Sequence, residues 1–347
     1  MRALTVLPGT KNSLAVQDWP EPDEREGSVL VKGLELGLCG TDRNIVDAEE
    51  GEAPEGSDRL VIGHENFGRV LSGAGGVEDG ELVIAFVRRP DPVPCPACAR
   101  GDWDRCQNGR YTEHGIKGRH GFGRERWRAD PESLVAVPES LRDVGVLLEP
   151  TTVVAKAWEQ VDRIGARSNV PRAVAAVTGA GPVGLLAAML ARQRGLEVHV
   201  FDIVTGGPKP DLVARLGATY HSESLPDSGV VPDVVIEGTG VSSVALAAMT
   251  GTRPDGICCL AGVSAPGKTT PVDVAAFNRS MVFGNRVVFG SVNAARRHYV
   301  DAVDALSAAD QDWLAALITR RVPLEQAAGD AFAPRDTDVK VVVELGS

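Results

Sequence analysis

From Ala173 to Ala191 the chain carries no ionisable side chain, a run long enough to cross a bilayer as one helix. Four residues in its middle argue against that reading. Gly179, Gly181, Pro182 and Gly184 interrupt the run and mark a tight turn between two shorter elements. It therefore reads as a buried strand, Ala173–Thr178, then a glycine-rich turn, then a helix, Pro182–Gly195. A second strand, Glu197–Asp202, follows at once. Strand, turn, helix and strand in that order form the unit of a parallel sheet, because parallel neighbours need a crossover.

The pattern continues downstream. A helix at Asp211–Leu216, a strand at Asp233–Glu237, a helix at Ser242–Met249 and a strand at Gly256–Ala261 predict a doubly wound sheet. Residues 1–150 read differently. Short β-rich runs such as Ser28–Lys32 and Leu82–Phe86 are broken by Gly, Pro and acidic turns, the grammar of a barrel or sandwich. Helices at Arg297–Leu306 and Gln311–Thr319 and a strand at Lys340–Leu345 close the chain. Its 347 residues exceed what one core usually serves, so two domains are expected. The expected class is α/β, with a doubly wound parallel-sheet domain, 154–294, inserted into a β-rich domain made of 1–153 plus 295–347.

Charge and cysteine usage exclude several functions. With 36 basic and 47 acidic residues the net charge is -11, which offers no overall positive field to a phosphate backbone or an anionic membrane. Neither nucleic acid nor membrane is an expected partner. The first apolar run, Met1–Gly9, is too short for a signal peptide. Six cysteines in a chain this long do not make a disulfide scaffold. The expected compartment is the cytoplasm.

Gly179-Ala180-Gly181-Pro182-Val183-Gly184 is a G-x-G-x-x-G between strand and helix. The first glycine permits the turn, the second lets backbone N–H groups approach a pyrophosphate, and the third lets helix pack on strand. Such a motif alone recurs by chance. Asp202 strengthens it, ending the next strand at the spacing where an acid accepts from a ribose hydroxyl. A carboxylate there repels a 2′-phosphate, and Ile203 and Val204 stand where an NADP site usually offers arginine. Lys209 lies close enough in sequence to reach a phosphate from its loop. NAD is the favoured cofactor, with NADP the second.

Cys39, His64, Glu65 and Glu149 are thiol, imidazole and carboxylate donors. These are the ligand types of a catalytic zinc, which takes three protein ligands and keeps one position open. Taken singly, each has an ordinary reading as a packed or solvated side chain. Cys95, Cys98 and Cys106 form a second cluster with metal-binding spacing. Cys258 and Cys259 sit in a core strand and read as packing.

With these motifs in view the chain resembles the zinc-dependent medium-chain dehydrogenase/reductase family, and within it the glucose 1-dehydrogenase branch. The resembling segments are Gly37–Asp42, Gly63–Gly68, Val87–Pro90, Cys95–Cys106, Tyr111–Gly121, Leu148–Pro150, Gly179–Gly184 and Gly290–Ala294. The resemblance implies a GroES-like catalytic domain split around a Rossmann domain. It implies zinc on Cys39, His64 and Glu149, with Glu65 beside the metal as an exchangeable ligand or a partner of its bound water. Thr41 matches the hydroxyl that bonds the reacting alcohol, so Thr41 and Glu65 are the implied catalytic residues. Glu113, Glu149 and Asn293 match positions that hold the sugar. Gly262, Val263 and Ser264 match a turn bordering the cofactor, and Ser291, Val292 and Asn293 match its nicotinamide end. A dimer or tetramer is implied.

Two departures qualify the match. The third cysteine of the usual structural-zinc lobe is Gly101 here, leaving Cys95, Cys98 and Cys106; either Asp102 or Asp104 completes a structural zinc site, or the lobe is metal-free and held by its own packing. Arg88, Arg89, Val153 and Phe283 occupy positions where the branch contacts sugar. The expected activity is oxidation of the anomeric hydroxyl of an aldose, D-glucose favoured, to the lactone, with hydride passed to NAD(P). The rivals are a polyol, cyclitol or alcohol dehydrogenase of the same family and a non-catalytic nucleotide-binding protein.

Overall fold

A computed structural model describes residues 1–264 and 269–346. The chain divides into two units, Met1–Glu149 with Asn293–Ser347, and Pro150–Val292. The switches expected from the sequence lay at 153/154 and 294/295; Ser347, the expected end of the second segment, lies outside the described residues.

The first unit is built on the strand Val29–Leu38, whose burial alternates at its start and covers Val29, Val31 and Gly33. It pairs antiparallel with Glu65–Ser72, with Arg126–Ala129 and with the terminal strand Lys340–Glu344. That last pairing is what closes the split domain, since it joins residues from both ends of the chain. The sheet continues through Leu82–Ala85 to Leu134–Val137 on one side and to Ile318–Pro323 on the other. Leu4, Leu36, Ile62, Phe122, Trp127 and Val343 meet in its core, each worth about 1.5–3 kcal/mol of transfer free energy.

The second unit is a six-stranded parallel sheet. Its spatial order is Thr219–His221, Glu197–Phe201, Val174–Thr178, Val234–Glu237, Ile257–Leu260, Val287–Gly290. The order reverses between Val174–Thr178 and Val234–Glu237, and ligands bind at such switch points, beyond the carboxyl ends of the strands. Leu185 to Ala191 of the helix Pro182–Gln193 are buried on this sheet. Trp158, on the helix Leu148–Gly165, donates its indole N–H to the Ala187 carbonyl at 3.1 Å. The uncharged run is thus a strand and a helix around a turn, and among the described residues no helix is long and apolar enough to cross a membrane.

Four of the six strands match the expected ones within a residue. Thr219–His221 and Val287–Gly290 were not expected; both are edge strands of three and four residues, too short to show a period. The helices Leu148–Gly165 and Val274–Gly284 were also missed. The helix expected over Gln311–Thr319 stops at Leu317, where the chain enters the strand Ile318–Pro323.

Candidate active site

In the first unit, Gly37 and Glu65 are register partners on neighbouring strands. A Cβ at Gly37 would fall 2.0 Å from the Glu65 Oε2, so only glycine leaves room for that carboxylate. The strand carrying Gly37 ends at Leu38, and Cys39 then caps the short helix Gly40–Val46, which holds Thr41 and Asp42 in its first turn. His64 immediately precedes the strand that begins at Glu65. The local grammar of these two glycine-flanked motifs therefore brings a thiol, an imidazole and a carboxylate to one place. Ligand atoms of Cys39, His64 and Glu65 all lie within 4.8 Å of one another, and Cys39 Sγ is 3.2 Å from His64 Nε2.

Two residues that the sequence reading left without a role support this cluster. Asp42 is fully buried; one carboxylate oxygen accepts the Cys39 backbone N–H at 3.0 Å, and the other faces His64 Nδ1 at 3.7 Å. A carboxylate behind a histidine is the usual means of fixing a ligating ring. Lys340, from the terminal strand, ion-pairs with Glu65 and donates to the Leu38 carbonyl at 3.1 Å. Glu149 is buried in the first turn of the helix Leu148–Gly165. It is not one of the three clustered donors, yet it feels the charges of His64 and Glu65.

The electrostatics fit a cation. Burial pushes the Cys39 thiol up, because a thiolate without water is costly. Burial likewise pushes Glu149 up to about 7, with Glu65 adding to the effect. Burial would lower His64, but the charges of Cys39, Asp42 and Glu149 outweigh it and raise it well above the histidine range. A donor set of this kind would be completed by a metal ion, and thiolate, imidazole and carboxylate suit zinc.

Elsewhere in the first unit, Asn293 Nδ2 donates to Glu113 Oε1 at 3.0 Å, so these two expected sugar-holding residues meet. Arg88 donates to the same oxygen at 3.0 Å, and its guanidinium lies 3.7 Å over the Tyr111 ring. Asn293 adopts a positive φ of 59° and accepts the Ala294 N–H. In the lobe, sulfur atoms of Cys95, Cys98 and Cys106 come within 4.8 Å of one another. Backbone N–H groups, first that of Gln107, pull Cys95 down to about 6, and burial pushes Cys98 up to about 12. Neither Asp102 nor Asp104 joins them; Asp102 is paired with Arg297 at 2.7 Å. Cys258 and Cys259 are buried in their strand, as packing requires.

The second unit carries a groove of about 860 Å³ at the switch point, lined in part by Gly179, Gly181, Asp202, Ile203, Val204 and Lys209. Gly179 has a φ of 92°, which only glycine adopts at little cost, and a Cβ on Gly184 would sit 1.8 Å from the Gly179 carbonyl oxygen. A Cβ on Gly181 would meet nothing within 4 Å. That open face and the uncapped start of the helix at Pro182, Val183 and Gly184 form a cradle for an anion. Asp202 accepts the Ala180 N–H at 2.7 Å and the Val204 N–H at 3.1 Å, and Lys209 donates to it at 3.0 Å. Burial would raise its pKa, but these donors hold it below the ordinary carboxylate value. Gly262, Val263, Ser264, Ser291 and Val292 follow the last two strands of the sheet and are not among the lining residues. Sequence reasoning missed Ser222, Glu223 and Ser224 of the lining, which follow an unrecognised edge strand. It also missed buried Glu237, whose carboxylate accepts the Thr239 N–H and shapes the turn there.

Two family models match the chain, and their boundaries are not those of the two structural units. The model of the alcohol dehydrogenase GroES-like domain matches residues 25–139, and that of the glucose dehydrogenase C-terminus matches residues 142–345. A glucose 1-dehydrogenase of Methanocella arvoryzae is 40% identical over 363 aligned positions, covering 100% of both chains. One from Thermoproteus tenax is 39% identical over 353, covering 99% of each. The structure of Haloferax mediterranei glucose dehydrogenase in complex with NADP, Zn and gluconolactone superposes with a TM-score of 0.92 at 31% identity, over 100% of both chains.

Proposed function

Because the chain belongs to the zinc-dependent medium-chain dehydrogenase/reductase family, in its glucose dehydrogenase branch, we propose that it oxidises the anomeric hydroxyl of an aldose to the lactone. D-Glucose is the favoured substrate, and a nicotinamide dinucleotide receives the hydride. The observation that carries this reading is the cluster of half-buried Cys39 with buried His64 and Glu65, with Glu149 within its electrostatic reach. These residues would hold the zinc, which supplies a Lewis acid that makes a bound hydroxyl easier to deprotonate.

The chain's own groups do the rest. Thr41, in the first turn of the helix that Cys39 caps, offers a hydroxyl to take the proton onward. Asp42 places its charge 3.7 Å behind the His64 ring, and Lys340 balances Glu65. Glu113 and Asn293 offer an acceptor and a donor to sugar hydroxyls, and a neutral sugar needs hydrogen bonds rather than a counter-charge. Asp202 accepts from the adenosine ribose, while the open backbone at Gly181 receives the pyrophosphate. NAD is favoured over NADP because Asp202 already engages Lys209, a nearby cation in the first turn of the helix Pro208–Arg215 rather than in a loop. The cysteine lobe has three sulfur donors, one short of a closed tetrahedral zinc site, and is given no part in the reaction.

All six cysteines are free, which suits the reducing cytoplasm. Val274, Val282 and Phe283 on one helix are 71%, 61% and 73% exposed, a surface that favours a homo-oligomer, dimer or tetramer. Light scattering on the purified protein measures that state.

The deciding measurement is the initial rate of NAD and NADP reduction with D-glucose, with a chelated aliquot alongside. A glucose rate lost on chelation and restored by zinc supports the reading. No rate with glucose in zinc-replete enzyme, alongside turnover of a polyol or simple alcohol, replaces the substrate and leaves the family intact.

A further inference from the structure

The strands Glu197–Phe201 and Thr219–His221 are parallel neighbours whose register pairs His199 with Thr219 and Phe201 with His221. His199 and His221 therefore share one face of the sheet, a diagonal step apart. Their inner nitrogens, His199 Nδ1 and His221 Nε2, lie 2.8 Å apart. Each outer nitrogen meets a carboxylate: His199 Nε2 is 3.0 Å from Glu197 Oε1, and His221 Nδ1 is 2.9 Å from Glu223 Oε1. An ionised carboxylate only accepts, so each outer nitrogen carries a proton and donates it. A neutral ring in that tautomer turns a lone pair inward. Two lone pairs at such a distance repel each other, and the contact calls for a cation between them. Phe201 stacks on His221 with centroids 4.5 Å apart and planes 13° from parallel, which fixes the ring. Both imidazoles are only 12% exposed.

We propose that His199 and His221 form a metal site for a divalent late first-row ion such as zinc, with Glu197 and Glu223 as the carboxylates that orient the rings. The carboxylate–imidazole–metal order is the usual way a ligating histidine is held in the correct tautomer. Imidazole pairs suit zinc, copper and nickel rather than calcium or magnesium. Tetrahedral zinc with bonds of about 2.0–2.1 Å separates two nitrogens by about 3.3 Å, so the rings must part by only about half an ångström. Water completes the coordination. Phe201 and Glu223 also line the nucleotide groove, so the ion ties the strand that ends at Phe201 to the one whose following turn lines the groove. The site shares no residue with the Cys39 cluster.

The test is zinc counting. Enzyme already loaded at its catalytic centre is equilibrated by dialysis with zinc chloride, and the metal per chain is measured. Wild type retains one zinc more than His199→Gln and one more than His221→Gln. Glu197→Gln weakens that ion by about 10–100-fold without removing it at saturation. This variant changes an exposed side chain and keeps the test decisive if a histidine variant fails to fold. Equal zinc counts in wild type and both histidine variants overturn the proposal. A far-downfield ring N–H resonance in zinc-equilibrated wild type overturns it too, since the pair then shares a proton instead of a metal.

Discussion

Two glycines of one turn should respond oppositely to the same methyl group. At Gly184 a Cβ would lie 1.8 Å from the Gly179 carbonyl oxygen, against an ordinary carbon contact of about 3.5 Å. The helix Pro182–Gln193 cannot stay where it is, and overpacking of this kind costs about 1–3 kcal/mol. At about 2–4 °C per kcal/mol for a unit of this size, Gly184→Ala lowers Tm by about 2–12 °C. At Gly181 the Cβ meets nothing within 4 Å, and φ of -81° with ψ of -178° suits any residue. Alanine is a poorer helix cap than glycine, but it also restricts the unfolded chain by about 0.4–1 kcal/mol, so the two effects nearly cancel. Stability should stay within about 0.5 kcal/mol of wild type. Yet Gly181 lines the groove, and its methyl would stand where pyrophosphate approaches the backbone. Loss of one charge-assisted hydrogen bond, about 1.5–3 kcal/mol, weakens NAD about 10- to 150-fold. Calorimetric titration with NAD and thermal unfolding on the same samples separate the two effects. Wild-type NAD affinity in Gly181→Ala, or a Tm loss matching that of Gly184→Ala, would refute the reasoning.

Asp42→Asn keeps the volume but removes the anion behind His64, so zinc affinity falls about 10–100-fold in a chelator competition. Lys340→Met leaves the Glu65 carboxylate buried without its partner and costs about 3–5 kcal/mol by denaturant unfolding, part of which Lys340→Met with Glu65→Gln recovers. Cys39→Ser or His64→Ala abolishes turnover while NAD titration stays near wild type; loss of both would indicate a folding defect. Burial and then Arg124 lower His120 to about 4, and its Nδ1 accepts the Val61 N–H at 3.3 Å. The unfolded chain takes up that proton near 6.5 and the folded chain only near 4, so this group's contribution is lost as pH falls between them. His120→Asn flattens the dependence of Tm on pH over that window.

How much of this was legible follows from how local each signal is. The switch-point turn was readable because its reasons lie within six residues: a left-handed Gly179, an open Gly181, and a Gly184 pressed against Gly179. Three of the four inner strands were readable because burial on both faces makes them nearly continuous apolar runs, as in Val234–Glu237, and the fourth, Glu197–Phe201, because its apolar residues alternate with polar ones. Thr219–His221 was not, since a three-residue edge strand is set by its neighbour's register rather than by its own pattern. The groove residues Ser222 to Ser224 were lost with it.

The metal donors illustrate the limit from the other side. Their residue types are visible in the sequence, but what makes the cluster physically sensible is the surrounding charge. Cys39, Asp42, Glu65 and Glu149 are four acidic side chains brought together, three of them buried, and Lys340 is the permanent cation set against them beside His64, whose own proton they favour. Fully ionised, and with His64 neutral as a ligand must be, the four exceed that lysine by three charges, and each uncompensated charge in such a place costs several kcal/mol. The rise of Glu149 to about 7 and the upward shift of Cys39 are the same cost expressed as protonation. A divalent ion cuts the excess to one and lets the thiolate and carboxylates stay ionised as ligands, which is why zinc suits this set and a simple solvated acid cluster does not. The lysine that sets this balance lies 275 residues from Glu65 and reaches it only because the last strand returns to pair with Val29–Leu38. Spacing along the chain can show which donors are present; only the closed sheet shows how their charge is held.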